Sequence, residues 1–210
     1  MLAGADSPED RSRFTRRLEA FSDIVFGFAL AQSAVALDVP KSAGDVIAHT
    51  GELLYFVVTF VLIVMFWVMH YRIFHYVFVA RRVDVLLNFL LLAVVALLPY
   101  ALRIYIRFPD TALGSGAYAL ALGIGLALIA ALEIRGLRGL SGEMRQRWTG
   151  IAMRHAIPAA VFLLSVPLFG LIGVWARYEW ALTLPAMLLA KRLARANAPA
   201  AGTAPLRSES

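Results

Sequence analysis

The stretch that decides the fold is Arg17-Leu-Glu-Ala-Phe-Ser-Asp23, which runs without a turn signal into Ile-Val-Phe-Gly-Phe-Ala-Leu-Ala-Gln-Ser-Ala-Val-Ala-Leu37. It places a cation, a hydroxyl and a carboxylate at the start of an apolar segment that is long enough to enter a bilayer. A carboxylate inside such a segment costs about 2.5–3.5 kcal/mol on insertion scales, so Asp23 is expected to have a functional or network role. The stretch therefore predicts a membrane helix whose polar residues find partners on other helices.

The composition extends this prediction to the whole chain. Of its 210 residues, 60% are hydrophobic and 16% are charged, and the mean hydropathy is +0.73. A soluble core of this size cannot hide so much apolar surface, so the chain is predicted to be an integral membrane protein. The net charge of +6 does not indicate nucleic acid as a partner, because the cations cluster between apolar segments. The absence of cysteine excludes disulfides, thiolate metal sites and cysteine nucleophiles.

Six apolar segments follow a polar N-terminal segment, residues 1–19. They cover residues 21–39, 53–69, 85–102, 112–132, 157–176 and 180–190. A helix needs about 20 residues to cross the hydrocarbon layer, and most of the segments are near this length. The sixth is short and contains Pro185, so it crosses only if Lys191 and Arg192 snorkel or the bilayer thins. Residues 20–192 are predicted to form one six-helix membrane domain, and residues 193–210 a disordered tail.

The fourth segment differs from the others in its small residues. It contains Gly114, Gly116, Gly123 and Gly125 together with many alanines. Small side chains let membrane helices approach one another closely. We therefore expect this helix to pack tightly against a neighbour.

The distribution of Lys and Arg predicts the topology. The two termini and the loops on their side hold 16 of these cations, whereas the loops on the other side hold 4. The bias would fall to 12 against 8 if the sixth segment did not cross. The distribution therefore favours six spans with both termini in the cytoplasm. A signal peptide is the alternative, because Ala34-Val35-Ala36 matches a cleavage pattern, but the polar pair Ser22 and Asp23 and the long leader argue against it.

The sequence patterns of common enzymes and metal sites are absent. The histidines are His49, His70, His75 and His155. They form no H-E-x-x-H motif, and His70 and His75 are five residues apart where a helical metal pair needs three or four. No phosphate-binding loop, nucleophile elbow or Thr-Val-Gly-Tyr-Gly potassium filter is present. We therefore predict no enzyme, metal site, cofactor or carbonyl-lined filter.

A small polar set remains inside the apolar segments. It comprises Ser22, Asp23, Gln32 and Ser33 on helix 1, Thr59, Trp67 and His70 on helix 2, and Asn88 on helix 3. Under the predicted topology Arg17, Asp23, His70 and Asn88 lie toward the cytoplasmic ends of their helices, where they can meet at one depth. Mutual hydrogen bonding among helices 1 to 3 is expected. It serves either as simple helix–helix attachment or as a clamp that orients helix 1.

Helix 1 also carries a stripe that points away from Asp23. At about 100° per residue, one face collects Ile24, Phe28, Ala31, Gln32, Val35 and Val39. Such a stripe serves either in ordinary packing or in lining a pore. The residue pattern alone leaves both readings open.

The signature Arg17-x-x-x-Phe21-Ser22-Asp23 at the head of the first membrane helix resembles that of a known family. This family is the prokaryotic branch of the transmembrane protein 175 family, potassium-permeable channels whose animal members are endosomal and lysosomal. Weaker matches support it, namely Trp67-x-x-His70, Asn88 with the later Leu98-Pro99-Tyr100, and the exit Val39-Pro40. The resemblance covers residues 16 to about 192.

The resemblance implies an all-α polytopic membrane protein, a homotetramer of six-helix subunits in the bacterial plasma membrane with helix 1 lining a central pore. It implies the pore positions Phe28, Ala31, Gln32 and Val35. The residues implied behind the pore helix are Arg17, Phe21, Ser22, Asp23, Trp67, His70 and Asn88. The chain departs from the family at these pore positions. Members often have Ile or Leu at the position of Phe28, Thr at that of Ala31, and Leu at those of Gln32 and Val35.

The expected function is a passive, weakly selective, potassium-permeable cation channel with a hydrophobic constriction on helix 1. Four Phe28 rings would gate by dewetting, and four Gln32 amides would add polar groups to the pore. Loss of the threonine hydroxyl at Ala31 would weaken discrimination against sodium. The alternatives are a proton-permeable channel, or a non-conducting six-span scaffold or transporter subunit. The inverted repeat typical of many transporters is not evident.

Overall fold

The computed structural model describes most of the membrane part of the chain. The described residues are 7–35, 37, 41–42, 44, 50–108, 110–173, 175, 178, 181, 185–186 and 188. Within these ranges the chain is helical, and no strand is present. The predictions for His49, Val39-Pro40 and the tail fall outside the described residues, as does most of the sixth segment. The six-span count therefore stays a prediction.

Five long helices form the described part of the chain. They are α1 Pro8–Val35, α2 Thr50–Tyr76, α3 Arg82–Arg107, α4 Ala112–Gly136 and α5 Gly142–Ile172. A short 3-10 turn, Leu137–Gly139, joins the last two. All five are long and apolar enough to cross a membrane. The prediction of an all-α protein with several membrane-spanning helices is confirmed at this level.

Helix α1 extends well beyond the apolar segment that predicts it. It begins at Pro8, and Ser7 caps it: the Ser7 hydroxyl accepts a hydrogen bond from the backbone N–H of Asp10 at 3.1 Å and donates to its carboxylate at 2.7 Å. Such a cap satisfies backbone donors that would otherwise be free. The basic N-terminal residues and the signature consequently lie on one continuous helix.

Helix α5 begins fifteen residues before the fifth predicted segment, residues 157–176. The count of cations by loop assigned Arg135, Arg145, Arg147 and Arg154 to the connection between the fourth and fifth segments. That assignment is wrong, because Arg135 is on α4 and the other three are on α5. Trp148 and Ala152 in this part of the helix are buried, so the segment packs through one face although it also carries three arginines. The helix ends at Gly173, whose φ of +61° suits glycine, so it is also shorter at its C-terminus than predicted.

The helices pack in an order that follows the chain. Helix α1 contacts α2 and α3, α3 contacts α4, and α4 contacts α5. One hydrophobic core runs through the bundle, with buried side chains that include Phe26, Ile63, Phe66, Leu91, Val95, Leu122, Ile129 and Trp148. The exposed surfaces of the helices remain rich in large apolar side chains, as expected of a protein that faces lipid or other copies of itself.

One end of the bundle collects most of the cations. Leu18 of α1 packs with Phe74 of α2 and Val85 of α3, and the ring of Tyr76 lies 6.0 Å from that of Trp148 on α5. The start of α1, the α2–α3 loop and the start of α5 are therefore neighbours. We call this the basic end; it carries Arg11, Arg13, Arg16, Arg17, Arg72, Arg81, Arg82, Arg135, Arg138, Arg145, Arg147 and Arg154.

Candidate functional site

A chain of hydrogen bonds joins α1, α3 and α2 in the half of the bundle near the basic end. Nε2 of His70 lies 2.8 Å from the side-chain oxygen of Asn88, and the Asn88 amide nitrogen donates to the Ser22 hydroxyl at 3.2 Å. The Ser22 hydroxyl in turn donates to the backbone carbonyl of Leu18 at 2.8 Å. All three side chains are fully buried. The structure thus brings three of the sequence-predicted network residues into one contact set.

The direction of this chain fixes the tautomer of His70. The Asn88 oxygen can only accept, so His70 Nε2 carries the proton and donates it. Nδ1 of His70 is buried and has no hydrogen-bond partner among the described residues. The ring is held between aromatic neighbours, 4.4 Å from Phe74 and 5.3 Å from Phe26 between ring centres. Packing and one directed hydrogen bond therefore position this histidine.

A second contact set lies beside the first. The indole nitrogen of Trp67 donates to the Asp23 carboxylate at 2.9 Å, and Phe21 meets Phe89 edge to face with ring centres 5.9 Å apart. Asp23 and Trp67 are both exposed to the outside of the subunit. Arg17 is exposed as well, and within the described part of the chain it forms no ion pair with Asp23. The predicted network therefore appears as two separate sets, with Arg17 outside both.

The two faces of α1 differ sharply in burial. The face toward α2 and α3 buries Leu18, Ser22, Phe26, Ala29 and Ser33. On the opposite face Ile24 is 69% exposed, Phe28 59% and Val35 86%, and Ala31 and Gln32 are exposed between them. The described part of the chain leaves the predicted pore positions uncovered. This face is therefore available to lipid, to an aqueous path or to another subunit.

The sequence did not predict two contacts made by acidic side chains. Arg135 of α4 pairs with Asp84 at the start of α3. The His155 ring nitrogen Nδ1 lies 2.9 Å from the carboxylate of Glu133, which is fully buried between α4 and α5. The available signal was a carboxylate directly after the apolar segment 112–132, which raises the same question of a partner as Asp23 does. Both pairs fasten helices at or near the basic end.

The donor set of the described residues does not form a metal centre. No group of three or more His, Cys, Asp or Glu side chains comes close enough together there to hold an ion. Polar contacts of α1 instead join it to α2 and α3. These contacts fix the orientation of α1 and therefore the direction in which its exposed face points.

Comparison with known proteins supplies a family for this arrangement. The family model TMEM175, described as the endosomal/lysosomal potassium channel TMEM175, matches residues 17–99. A potassium channel of Marivirga tractuosa is 31% identical over 98 residues, which are 47% of this chain and 40% of that protein. A potassium channel of Streptomyces collinus is 37% identical over 90 residues, 40% of this chain and 44% of that protein. The chain thus spans less than half the length of these curated relatives.

Two crystal structures have a similar fold over most of the chain. One is a variant of the potassium channel MtTMEM175 in complex with a nanobody fusion protein, with a TM-score of 0.72, 21% identity, and coverage of 86% of this chain and 93% of that one. The other is a lysosomal potassium-selective channel TMEM175 homolog from Chamaesiphon minutus, with a TM-score of 0.61, 25% identity, and coverage of 89% and 100%.

The matched stretch contains the residues of the resemblance on helices 1 to 3 from Arg17 to Pro99, and it ends one residue before Tyr100. The relatives are channels and not enzymes, in agreement with the absence of enzyme motifs from the sequence. The family match, the curated relatives and the fold agree with the resemblance carried by the signature. The chain is therefore similar to the TMEM175 family, and the family match lies in residues 17–99.

Proposed function

We propose that this protein is a potassium-permeable, weakly selective cation channel. In this proposal four six-span subunits surround a central pore in the bacterial plasma membrane, and both termini lie in the cytoplasm. The exposed face of α1 lines the pore, and ions pass it passively. The potassium-channel descriptions of the family and of its bacterial relatives support the choice of ion.

The observation that carries the proposal is the two-faced character of α1. Its inner face is held to α3 by the buried hydrogen bond between Asn88 and Ser22. Its outer face presents Phe28 and Val35 more than half exposed. A clamp on one side fixes the rotation of the helix, so the same side chains point outward in every copy of the subunit.

One subunit supplies only one wall of such a pore. Closed rotational symmetry places the same face of each copy around a common axis, which turns an exposed stripe into a set of side-chain rings. Rings of Phe28 and Val35 would form hydrophobic constrictions, and a ring of Gln32 would place amide groups between them. The positive-inside rule supports the orientation, since the described N-terminal arginines and the α2–α3 and α4–α5 connections share the basic end.

Potassium flux into liposomes tests the proposal. Purified protein should dissipate a potassium gradient, and Phe28→Ala should raise the flux several-fold because it widens and wets the constriction. Phe60→Ala is the matched control, because Phe60 is a comparably exposed phenylalanine on α2, away from the stripe. It should leave the flux unchanged. If an intact tetramer gave no flux above empty liposomes, the channel proposal would fail and the scaffold alternative would gain support.

Reversal potentials under mixed potassium and sodium test the selectivity. Ala31→Thr adds a hydroxyl to the pore face, and Gln32→Leu replaces the amide by an apolar group. We expect Ala31→Thr to shift the reversal potential toward that of potassium, because hydroxyl oxygens can replace part of the hydration shell of the ion. An unchanged reversal potential in both variants would place the selecting residues elsewhere.

A further inference from the structure

A basic pocket lies on the outside of the bundle at its basic end. It is lined by Arg72 of α2 and by one face of α5, comprising Glu143, Gln146, Arg147, Gly150, Ile151 and Arg154. Its volume is about 550 Å³, which is within the usual range for small-ligand sites. None of its residues belongs to the exposed face of α1 or to the polar network behind it, so the pocket is separate from the proposed pore.

The spacing of residues on α5 forms the pocket. Arg147, Gly150, Ile151 and Arg154 follow one another at helical intervals and share one face. Arg147 and Arg154 lie two turns apart, about 10 Å along the axis, so both guanidinium groups can reach a molecule between them. Gly150 leaves the space open, because a Cβ atom added there would meet nothing within 4 Å. This face of α5 therefore presents two guanidinium groups with an open space between them.

The third cation comes from another helix and is held in place. The guanidinium carbon of Arg72 lies 5.8 Å from the centre of the Trp148 ring, a distance that suits a cation–π contact. Trp148 is itself buried, and its ring lies 6.0 Å from that of Tyr76. Arg72 is thus positioned by packing before any ligand arrives, which lowers the entropy cost of binding.

The charges in the pocket are unbalanced. Three arginines face one carboxylate, that of Glu143. Within the described part of the chain these arginines form no salt bridge, and the nearby acids Asp84 and Glu133 are already paired with Arg135 and His155. Arginine forks match the oxygens of phosphate in a bidentate manner. The pocket is therefore suited to a phosphate-bearing anion.

The position of the pocket along α5 indicates where such an anion comes from. Arg154 precedes the apolar stretch that begins at Ile157 by three residues, about 4.5 Å of helix. The headgroup layer is about 5–8 Å thick on each side of the hydrocarbon. Basic pockets between membrane helices at this depth bind anionic lipid headgroups. We propose that the pocket of Arg72, Arg147 and Arg154 binds a phosphate group, supplied by an anionic phospholipid of the surrounding leaflet.

Calorimetric titration of the purified full-length protein tests this proposal. Dioctanoyl phosphatidylglycerol is the lipid probe, and inorganic phosphate is the probe for a soluble source. The double substitution Arg147→Gln with Arg154→Gln removes two guanidinium groups from the pocket. Arg138→Gln with Arg145→Gln is the matched control, because it removes two exposed arginines of the same region that do not line the pocket. Gly150→Leu fills the gap while leaving every charge in place.

We expect the pocket pair to weaken binding of the lipid probe by about tenfold or more, since two charge-assisted hydrogen bonds are lost. Gly150→Leu should weaken it comparably, and the control pair should change it less than about twofold. Equal losses in both arginine pairs would mean diffuse attraction and would overturn the site. If only inorganic phosphate binding depended on the pocket, the phosphate site would stand and the lipid source would be refuted. If neither probe bound the unaltered protein, the proposal would be wrong.

Discussion

The first three helices and the last two are held together by different physical means. Helices α1 to α3 share a buried hydrogen-bonded chain through Ser22, Asn88 and His70. Helices α4 and α5 share a seam in which glycine allows close approach: a Cβ atom added at Gly123 would lie 2.8 Å from Leu163 of α5. Their polar contact, Glu133 with His155, lies near the basic end. Helices α1 to α3 are held together by hydrogen bonds between particular side chains, whereas α4 and α5 are held together mainly by close packing.

This difference explains where the family signature lies. The family model matches residues 17–99 only, whereas the fold of the solved relatives extends over 86–89% of the chain. A hydrogen bond needs a donor and an acceptor at fixed positions, so it constrains residue identity. A packed seam accepts many combinations of small and large side chains. The fold of α4 and α5 can therefore be similar where the sequence is not.

The largest effect is expected from Asn88→Leu. The substitution keeps the side-chain volume similar but removes the donor to the Ser22 hydroxyl, which still donates to Leu18, and the acceptor of the His70 N–H. We expect the free energy of unfolding to fall by about 2–3 kcal/mol, because two buried polar groups lose a hydrogen bond. Titration with sodium dodecyl sulfate followed by circular dichroism measures this change in purified protein.

Leu90→Ala provides the control on the same helix. Leu90 is about half exposed, so its truncation should change the free energy of unfolding by less than about 0.5 kcal/mol. If Asn88→Leu were no more destabilising than this control, the first three helices would be held by packing alone. The contrast with α4 and α5 would then disappear.

A smaller effect is expected from Gly123→Ala in the seam of α4 and α5. The added methyl group would approach not only the Leu163 side chain but also its backbone nitrogen, at 3.1 Å, so α5 itself must shift. We expect a loss of about 1–2 kcal/mol from this overpacking, measured by the same unfolding titration.

Gly116→Ala is the matched control for this substitution. The nearest atom to a Cβ added at Gly116 is 3.9 Å away, so the methyl group fits without strain. It should stabilise the protein by up to about 1 kcal/mol, because alanine favours the helix more than glycine does. Equal effects of the two substitutions would show that helix propensity, and not close approach, decides this seam.

Much of the fold could be predicted from the sequence because hydrocarbon imposes a simple rule on composition. Apolar runs mark the parts of the helices that face lipid, and the intramembrane polar residues Ser22, His70 and Asn88 were marked out because the bilayer offers them no water. The same rule does not describe a helix beyond the apolar layer. The start of α1 depends on a cap at Ser7, and the start of α5 depends on the buried Trp148.

The candidate site could be predicted only in part for a related reason. Contacts within the chain follow from the need of each buried polar group for a partner, and Asn88 with Ser22 is such a contact. The pairs of Asp84 with Arg135 and Glu133 with His155 lie where the apolar pattern ends, so the pattern did not mark them. The proposed pore role of Phe28 and Gln32 would depend on other copies of the chain, and the sequence of one chain does not describe how copies assemble.

The smallest effect is expected at the contact between Trp67 and Asp23. Substitutions there distinguish a structural role of Asp23 from a role in ion permeation. Both side chains are exposed at the subunit surface, so solvent or a neighbouring subunit can replace the hydrogen bond. A double-mutant cycle with Trp67→Phe and Asp23→Asn should give a coupling energy of about 0.6 kcal/mol. We expect both variants to weaken the proposed tetramer more than they alter the ratio of potassium to sodium permeability. The opposite result would be that Asp23→Asn abolished conduction while assembly and thermal stability were unchanged. Asp23 would then act on the ion itself, and its role would not be to hold α1 in its orientation.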